Sequence, residues 1–360
     1  MSGIIDHQAA LAQLCSQLPA HTVLGLDTEF MRERTYFAQL CLLQLSFGSQ
    51  AVCIDTLALT DLGALRATMA APQVRKILHA ARQDLEVLWP ATGRVAGLFD
   101  TQVAAALIGL PAQIGYGDLT HRMLGQTLHK TQTRTDWTRR PLSPAQLEYA
   151  LDDVRYLPPL AECLQARLGQ LGRWHWFEEE MAQLDSVSSF QVDPEQAWRR
   201  LKGISDLDPG RLAVAHALAA WRERRAIGSD RPRNWILPDA ALRDMVLSVP
   251  RTLSALAGIA ELPEGIRQHS GAELLALIDS LGLPAQLPGL PARQRPAPAE
   301  TEAVRRLAQL TAQTGRELDV APEVLATRRE MERLVAGERD AGPLLGWRRA
   351  VIGERLLAVL

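Results

Sequence analysis

The 360-residue chain contains no run of 18 apolar residues, so a membrane-spanning helix is not expected. No charged-then-apolar leader opens it, so neither is a secretory signal, and the expected location is cytoplasmic. Cysteine is scarce: Cys15, Cys41, Cys53 and Cys163 are scattered in the first half without a Cys-x-x-Cys pair. That usage suits reduced thiols and argues against a zinc site. Net charge is small too, at −2, which by itself does not advertise a nucleic-acid binder. Apolar residues are not lacking: 47% hydrophobic content supports real cores, and the length predicts two or three domains.

What stands out is a small set of acids. Asp27 and Glu29 lie in VLGLDTEF, Asp84 in HAARQDLEVL, and Tyr149 with Asp153 in EYALDDV. Val23, Leu24 and Leu26 predict a buried strand over 23–30 that ends in a polar tip. Alternation along a strand sends Asp27 and Glu29 to the same side, where their carboxylates can share a cation. Solvated acids at a strand end are the alternative reading, but burying such a pair is costly unless it is matched or metal-bound. A second strand over 74–79 leads into a helix starting near Ala81, with Leu85 and Leu88 inward and Asp84 in its first turns. Many helices begin with such an acid, because the helix dipole tolerates it there. His79 reads as a satisfied strand-end residue.

Ser143-Pro144-Ala145-Gln146 supplies a capping serine, a proline at the first helical position and a glutamine at the third. These predict a helix over about 144–168 on which Tyr149 and Asp153 stack four residues apart. Asp152 sits about 100° round that helix, and we favour Asp153 as the ligand. Asp27, Glu29, Asp84 and Asp153 together form an all-oxygen cage that suits Mg²⁺ or Mn²⁺ rather than zinc. Two such ions about 4 Å apart stabilise the attacking and leaving oxygens of an in-line phosphodiester displacement. A phenol beside a ligating carboxylate can orient the attacking water.

These segments resemble the three exonuclease motifs of the DEDD superfamily, in its tyrosine-bearing branch, and specifically those of the bacterial ribonuclease D family. LDTEFMRERTYFAQLCLLQLS, HAARQDLEVL and YALDDVRYL carry the likeness, which FDTQVAAALIGL and DWTRRPLSPAQLEYA extend over the first half. The resemblance implies an α/β RNase H-like exonuclease domain over 1–184, two divalent ions (Mg²⁺ or Mn²⁺) on Asp27, Glu29, Asp84 and Asp153, and Tyr149 positioning the water. Thr28 and Phe30, at the same strand end, are expected to contact substrate. Asp152 stands where a small residue would be expected.

Strand-like runs at 23–30, 39–47, 51–55 and 74–79 give way to helical patterns from about 80, and strands vanish after about 184. DSVSSFQVDP and the proline-rich 283–300 read as linkers. Residues 190–280 resemble the all-α HRDC module, named for helicases and ribonuclease D, through an opening tryptophan, a Trp-Arg helix and an Arg-Asn-Trp turn. Residues 298–360 resemble a second, more divergent copy. Basic stretches at 129–141, 198–202 and 221–235, interleaved with tryptophans, suit phosphate contact and base stacking. Alternatively the tryptophans are helix core, and for Trp198 and Trp221 we favour core.

The expected activity is therefore a 3′–5′ exoribonuclease that releases nucleoside 5′-monophosphates. The resemblance implies tRNA precursors as substrates, and neither a protein partner nor a membrane is expected. A DNA-directed exonuclease and a catalytically silent RNA-binding scaffold are the alternatives. Because all five site residues lie upstream, a chain ending near residue 188 is expected to keep activity on short strands.

Overall fold

A computed structural model describes residues 4–18, 23–128, 135–185, 193–204, 207–284 and 297–360. It divides into two compact units, one formed by Met1–Met31, Leu40–Phe190 and Pro296–Leu360, the other by Arg32–Gln39 and Gln191–Arg295. Among the described residues no helix is long and apolar enough to cross a membrane.

The first unit is built on a six-stranded sheet of β1 (Ile4–Ile5), β2 (Val23–Met31), β3 (Gln39–Phe47), β4 (Gln50–Ile54), β5 (Arg75–Leu78) and β6 (Leu98–Asp100), in the order β1-β4-β3-β2-β5-β6. β3 and β4 pair antiparallel, while β5 runs parallel to both β2 and β6. The mixed sheet with flanking helices is the α/β fold expected. β1 and β6 are too short to leave a periodic signal in the sequence. The central strands are buried on both faces, Leu24–Leu26 and Cys41–Leu45 among them, the latter with one polar side chain, Gln44.

Parallel pairing is what builds the site. Val23 lies opposite Arg75 and Gly25 opposite Ile77, so β2 and β5 present their C-terminal ends at one edge. Asp27 and Glu29 occupy that end of β2, and the turn after β5 opens the Arg82–Thr92 helix that carries Asp84.

The helix expected over 144–168 is instead two, Pro144–Arg155 and Leu157–Gln170, joined at Tyr156. Pro158 and Pro159 explain the break, since neither has an N–H to continue the ladder. The Val154 carbonyl, which Pro158 cannot serve, accepts a 2.7 Å bond from the Ser46 hydroxyl on β3. Gly25 permits this close approach. A Cβ there would collide with Ser46 Oγ and come within 3.0 Å of the Val154 carbonyl oxygen and 3.2 Å of Leu157. The capping box on Ser143 and Gln146 forms as anticipated.

The last segment, led by the Pro298–Leu318 helix, shares one core with the sheet and the helices packed on it. Leu307, Leu325, Leu334, Trp347 and Leu356 pack with Leu160, Leu164, Trp176 and Phe177. Trp347 stacks on Trp176 at 4.3 Å, its indole N–H donates to Glu180 at 2.8 Å, and Arg348 pairs with Glu180 at 2.5 Å. Arg173 donates to the carbonyls of both Leu107 and Leu318. A chain ending near residue 188, expected to keep activity on short strands, would leave these apolar faces uncovered.

The second unit is helical. Pro209–Ser229, Asp239–Ser248 and Glu264–Asp279 enclose Val214, Leu218, Trp221, Leu242, Met245, Leu274 and Ile278. Asp208 caps the first of these helices, with Pro209 at its first position. Residues 32–39, which join β2 to β3 along the chain, belong to this unit, and Tyr36 lies in its core.

Folding also neutralises much of the basic sequence. Arg222 pairs with Asp239 and Arg233 with Glu223, while Arg225 pairs with Glu273 and Arg224 with Glu195. Arg140 forks onto Asp55 at 2.6 and 2.7 Å. Trp137 and Trp221 are core and Trp198 is half-buried, whereas Trp235 is 57% exposed. Lys130 and Arg134 lie outside the described residues, as do 186–192 and 285–296 of the expected linkers.

Candidate active site

Carboxylate oxygens of Asp27, Glu29 and Asp153 lie within 4.8 Å of one another, close enough to ligate a single cation. All three are half-buried. Asp84 stands outside that trio but is near enough to Asp27 to be its strongest charged neighbour. It is 7% exposed, and its Oδ1 accepts a 2.5 Å bond from the Thr28 hydroxyl. Thr28, expected among the substrate contacts, is itself 6% exposed with its hydroxyl engaged in this way. Phe30 is half-buried at the end of β2.

Tyr149 and Asp153 meet as their spacing requires, through a hydrogen bond between phenol and carboxylate. The Tyr149 ring leans on buried Trp137 at 6.2 Å. Asp152 turns away into an ion pair with Arg155, which also holds Glu148 at 3.0 Å. This separation of neighbouring aspartates follows from the turn of the helix. His79 is satisfied on both ring nitrogens, by Thr101 and by the Ile114 carbonyl, each at 2.9 Å.

Electrostatics mark the cluster. Burial first, then the charges of Asp84, Asp153 and Glu29, drive the Asp27 carboxyl well above the usual carboxylate range. Glu29 is pushed up to about 8 by burial and then by Asp153 and Asp84. Asp153 rises to about 7 through burial and the Asp152 charge, against the opposing Tyr149 bond. Asp84 also rises to about 7, mainly by burial and despite Thr28. The Tyr149 phenol is raised as well, by burial and then by Asp153, so it keeps its proton at neutral pH. Four carboxyls held against their own repulsion, with oxygen donors only, fit hard divalent cations.

Two supporting residues escaped the sequence reading. Asp100, buried at the end of β6, accepts from the N–H groups of Ala80 and Ala81 at 3.1 and 2.8 Å and caps the next helix. It thereby fixes the turn that enters the Asp84 helix, where Ala80 has a left-handed φ of 58°. Tyr116 donates to the Asp152 carbonyl at 3.1 Å and accepts from the Tyr156 N–H at 3.2 Å. It pins the end of the helix that carries Asp153. Asp100 directly follows an apolar strand and precedes Thr-Gln, a capping signal in FDTQ; Tyr116 left none.

Residues 3–169 match the 3′-5′ exonuclease family and residues 211–278 the HRDC domain. The ribonuclease D of Nitrobacter hamburgensis is 38% identical over 365 aligned positions, which cover 99% of this chain and 94% of that protein. The chain belongs to the ribonuclease D family. Its enzymatic class is accordingly that of a 3′–5′ exoribonuclease. The family's Jannaschia member is 39% identical, over 97% of this chain and 93% of its own length. Among solved structures, Escherichia coli RNase D, described as an exoribonuclease involved in structured RNA processing, superposes with a TM-score of 0.89 at 32% identity. That match covers 100% of this chain and 98% of the other.

Proposed function

We propose that Asp27, Glu29, Asp84, Asp153 and Tyr149 are the catalytic residues of a two-metal phosphodiesterase that shortens RNA from its 3′ end, with tRNA precursors as substrates. The observation that carries this is the convergence of the three half-buried carboxylates within 4.8 Å, with Asp84 beside them. Asp27, Glu29 and Asp153 would hold one ion, and Asp84 with Asp27 the other. When bound, the ions supply charge stabilisation for the attacking and leaving oxygens.

The chain's own groups do the rest. Tyr149, protonated and anchored to Asp153, orients a water so that its oxygen faces the terminal phosphorus. As the new P–O bond forms, the bond to the preceding nucleotide's 3′-oxygen breaks. The products are a nucleoside 5′-monophosphate and an RNA one residue shorter with a free 3′-hydroxyl. Thr28 acts by holding Asp84, and Phe30 is the residue at this edge suited to stack on the terminal base. The 1–184 segment carries the chemistry and the 190–280 module contacts RNA. The 298–360 segment, a divergent copy of that module, completes the core around the nuclease.

The test is degradation of end-labelled single-stranded RNA and DNA with Mg²⁺, with Mn²⁺ and with chelator. The RNA is expected to shorten stepwise from its 3′ end, only with metal, and faster than the DNA. Equal rates on both polymers would remove RNA selectivity from the proposal.

The same assay separates the roles on one helix. Tyr149→Phe keeps the ring and deletes the hydroxyl, so kcat is expected to fall about 10²-fold, the scale of a positioned proton-handling group. Asp153→Asn should be far more damaging than Asp152→Asn, whose carboxylate is committed to Arg155. The reverse order would mean that the ligand is Asp152.

The raised carboxyls also set a pH dependence. In the folded, metal-free protein Glu29, Asp84 and Asp153 keep protons up to about 7–8, whereas ordinary values are 3.8 for Asp and 4.5 for Glu. Between those limits the folded state binds more protons than the unfolded one, so stability falls as pH rises. The melting temperature of metal-free protein, corrected with Asp27→Asn as reference, is expected to drop between pH 5 and pH 8. Saturating Mn²⁺ should remove that drop. A metal-independent profile would argue against a cation among these acids.

A further inference from the structure

The segment that follows the Asp27/Glu29 strand sends a side chain into the core of the helical unit. Eight residues, Arg32–Gln39, return the chain from β2 to β3, yet they belong to the helical unit. The Tyr36 ring is buried in that unit's core, with the Arg233 guanidinium 4.6 Å over its face. The Tyr36 hydroxyl donates to Glu223, which is 0% exposed, and accepts from Arg233 at 2.9 Å. Arg233 also reaches Glu223 with two bonds of 2.6 Å, and Arg200 adds a third cationic contact at 3.2 Å. Asp230 accepts from the N–H groups of both Tyr36 and Phe37, each at 3.0 Å. A cleft of about 400 Å³ beside these residues is also lined by Arg32, Arg222 and Asn234. Its guanidiniums face carboxylates already bonded to them, as in Arg233–Glu223 and Arg222–Asp239, so it reads as a clamp and not as an open anion site.

A buried carboxylate held by two arginines and a phenol is costly to break, because removing one partner strands the others. Glu29 lies only three residues before the strap. Carboxylate oxygens of Asp27, Glu29 and Asp153 lie within 4.8 Å of one another, so the site depends on where the end of β2 is held. We propose that Tyr36, Glu223 and Asp230 are positioning residues of the nuclease: the helical module grips the strap at its middle and so holds the end of β2 where its carboxylates can share cations. The module would then serve catalysis directly as well as through any contact with RNA. This rests on the metal-cage reading above.

The test uses the full chain and an RNA of a few nucleotides, together with Mn²⁺ titration. Tyr36→Phe deletes one hydroxyl, and Asp230→Gly deletes the acceptor while tolerating the left-handed φ of 46° at that position. Both are expected to lower kcat about 10-fold with KM unchanged, short of the roughly 10²-fold that a 1 Å misplacement can cause. Both should also raise the Mn²⁺ concentration needed for half-maximal activity severalfold. Asp230→Asn keeps an amide oxygen to accept both N–H groups and should restore kcat and Mn²⁺ response.

Unchanged kcat and Mn²⁺ response in both variants, even with a lower melting temperature, would overturn the proposal and leave the clamp a stabilising contact alone. A raised KM with unchanged kcat would overturn it as well, by assigning the strap to substrate binding. Should Tyr36→Phe fail to fold, the Asp230→Gly and Asp230→Asn pair carries the same comparison. Asp84→Ala is the control: if it retains activity, the cage reading fails first, whereas an inactive Asp84→Ala beside unaffected strap variants sinks only the positioning role.

Discussion

Asp84→Ala is expected to abolish phosphodiester turnover while leaving the melting temperature unchanged or higher. The carboxylate lies 7% exposed in the first turn of its helix, where the Thr28 hydroxyl donates to its Oδ1. Losing an outer partner of a metal site costs about 10–100-fold, so losing a ligand should exceed 10²-fold. The stability expectation has the opposite sign. Asp84 contributes to the repulsion that raises Asp27, so alanine relieves an unfavourable field in the metal-free protein. Thr28 loses its acceptor, a smaller penalty of about 1–3 kcal/mol that partly offsets the gain. Asp27→Asn should behave alike, with the larger rise in melting temperature, because Asp27 has Asp84, Asp153 and Glu29 all acting on it. Near-normal rates for Asp84→Ala with saturating Mg²⁺ and Mn²⁺ would refute the two-metal assignment.

Removing residues 298–360 should prevent the nuclease from folding to a soluble, cooperative state, although no catalytic residue is lost. Leu307, Leu325, Leu334, Ile352 and Leu356 are fully buried in the core that holds Trp176 and Phe177. Without them the helices Leu157–Gln170 and Trp174–Leu184 present an apolar face to water. The single change Trp347→Ala gives the measurable version. It deletes the indole stacked at 4.3 Å on Trp176 and its bond to Glu180, and a buried aromatic-to-alanine change costs about 3–5 kcal/mol. Domains of this kind are stable by only about 5–15 kcal/mol in total, so the denaturation midpoint should fall far while the metal site survives in the folded fraction. A chain ending before residue 298 that stayed soluble, melted cooperatively and cleaved RNA would contradict this account of the core.

The sequence by itself determined which of the site's side chains the local backbone sets side by side. Asp27 and Glu29 share a face because strands alternate, Tyr149 and Asp153 because four residues make one helical turn, and Ser143-Pro144 starts that helix. Each of these inferences spans fewer than ten residues, where backbone periodicity controls side-chain direction. The same local logic anticipated the break from sheet to helix and the core role of Trp221. It overran at Tyr156, where two prolines outweigh an otherwise continuous apolar pattern.

Only the tertiary structure decided which surfaces meet. The strap RERTYFAQ carries no sign that Tyr36 belongs with Glu223 and Arg233, because that preference arises from a pocket assembled by residues almost 200 positions away. Counting arginines overstated the basic surface, since folding pairs Arg233, Arg222 and Arg140 with carboxylates 10, 17 and 85 positions away. The parallel pairing of β2 and β5 sets Asp84 against the Thr28 hydroxyl, a contact between residues 56 positions apart. The final 60 or so residues read as a separate module because a proline-rich stretch precedes them, yet they share a core with the sheet. An amphipathic helix announces that it will bury one face, but not against what, since apolar contact is non-directional and only shape and connectivity select the partner.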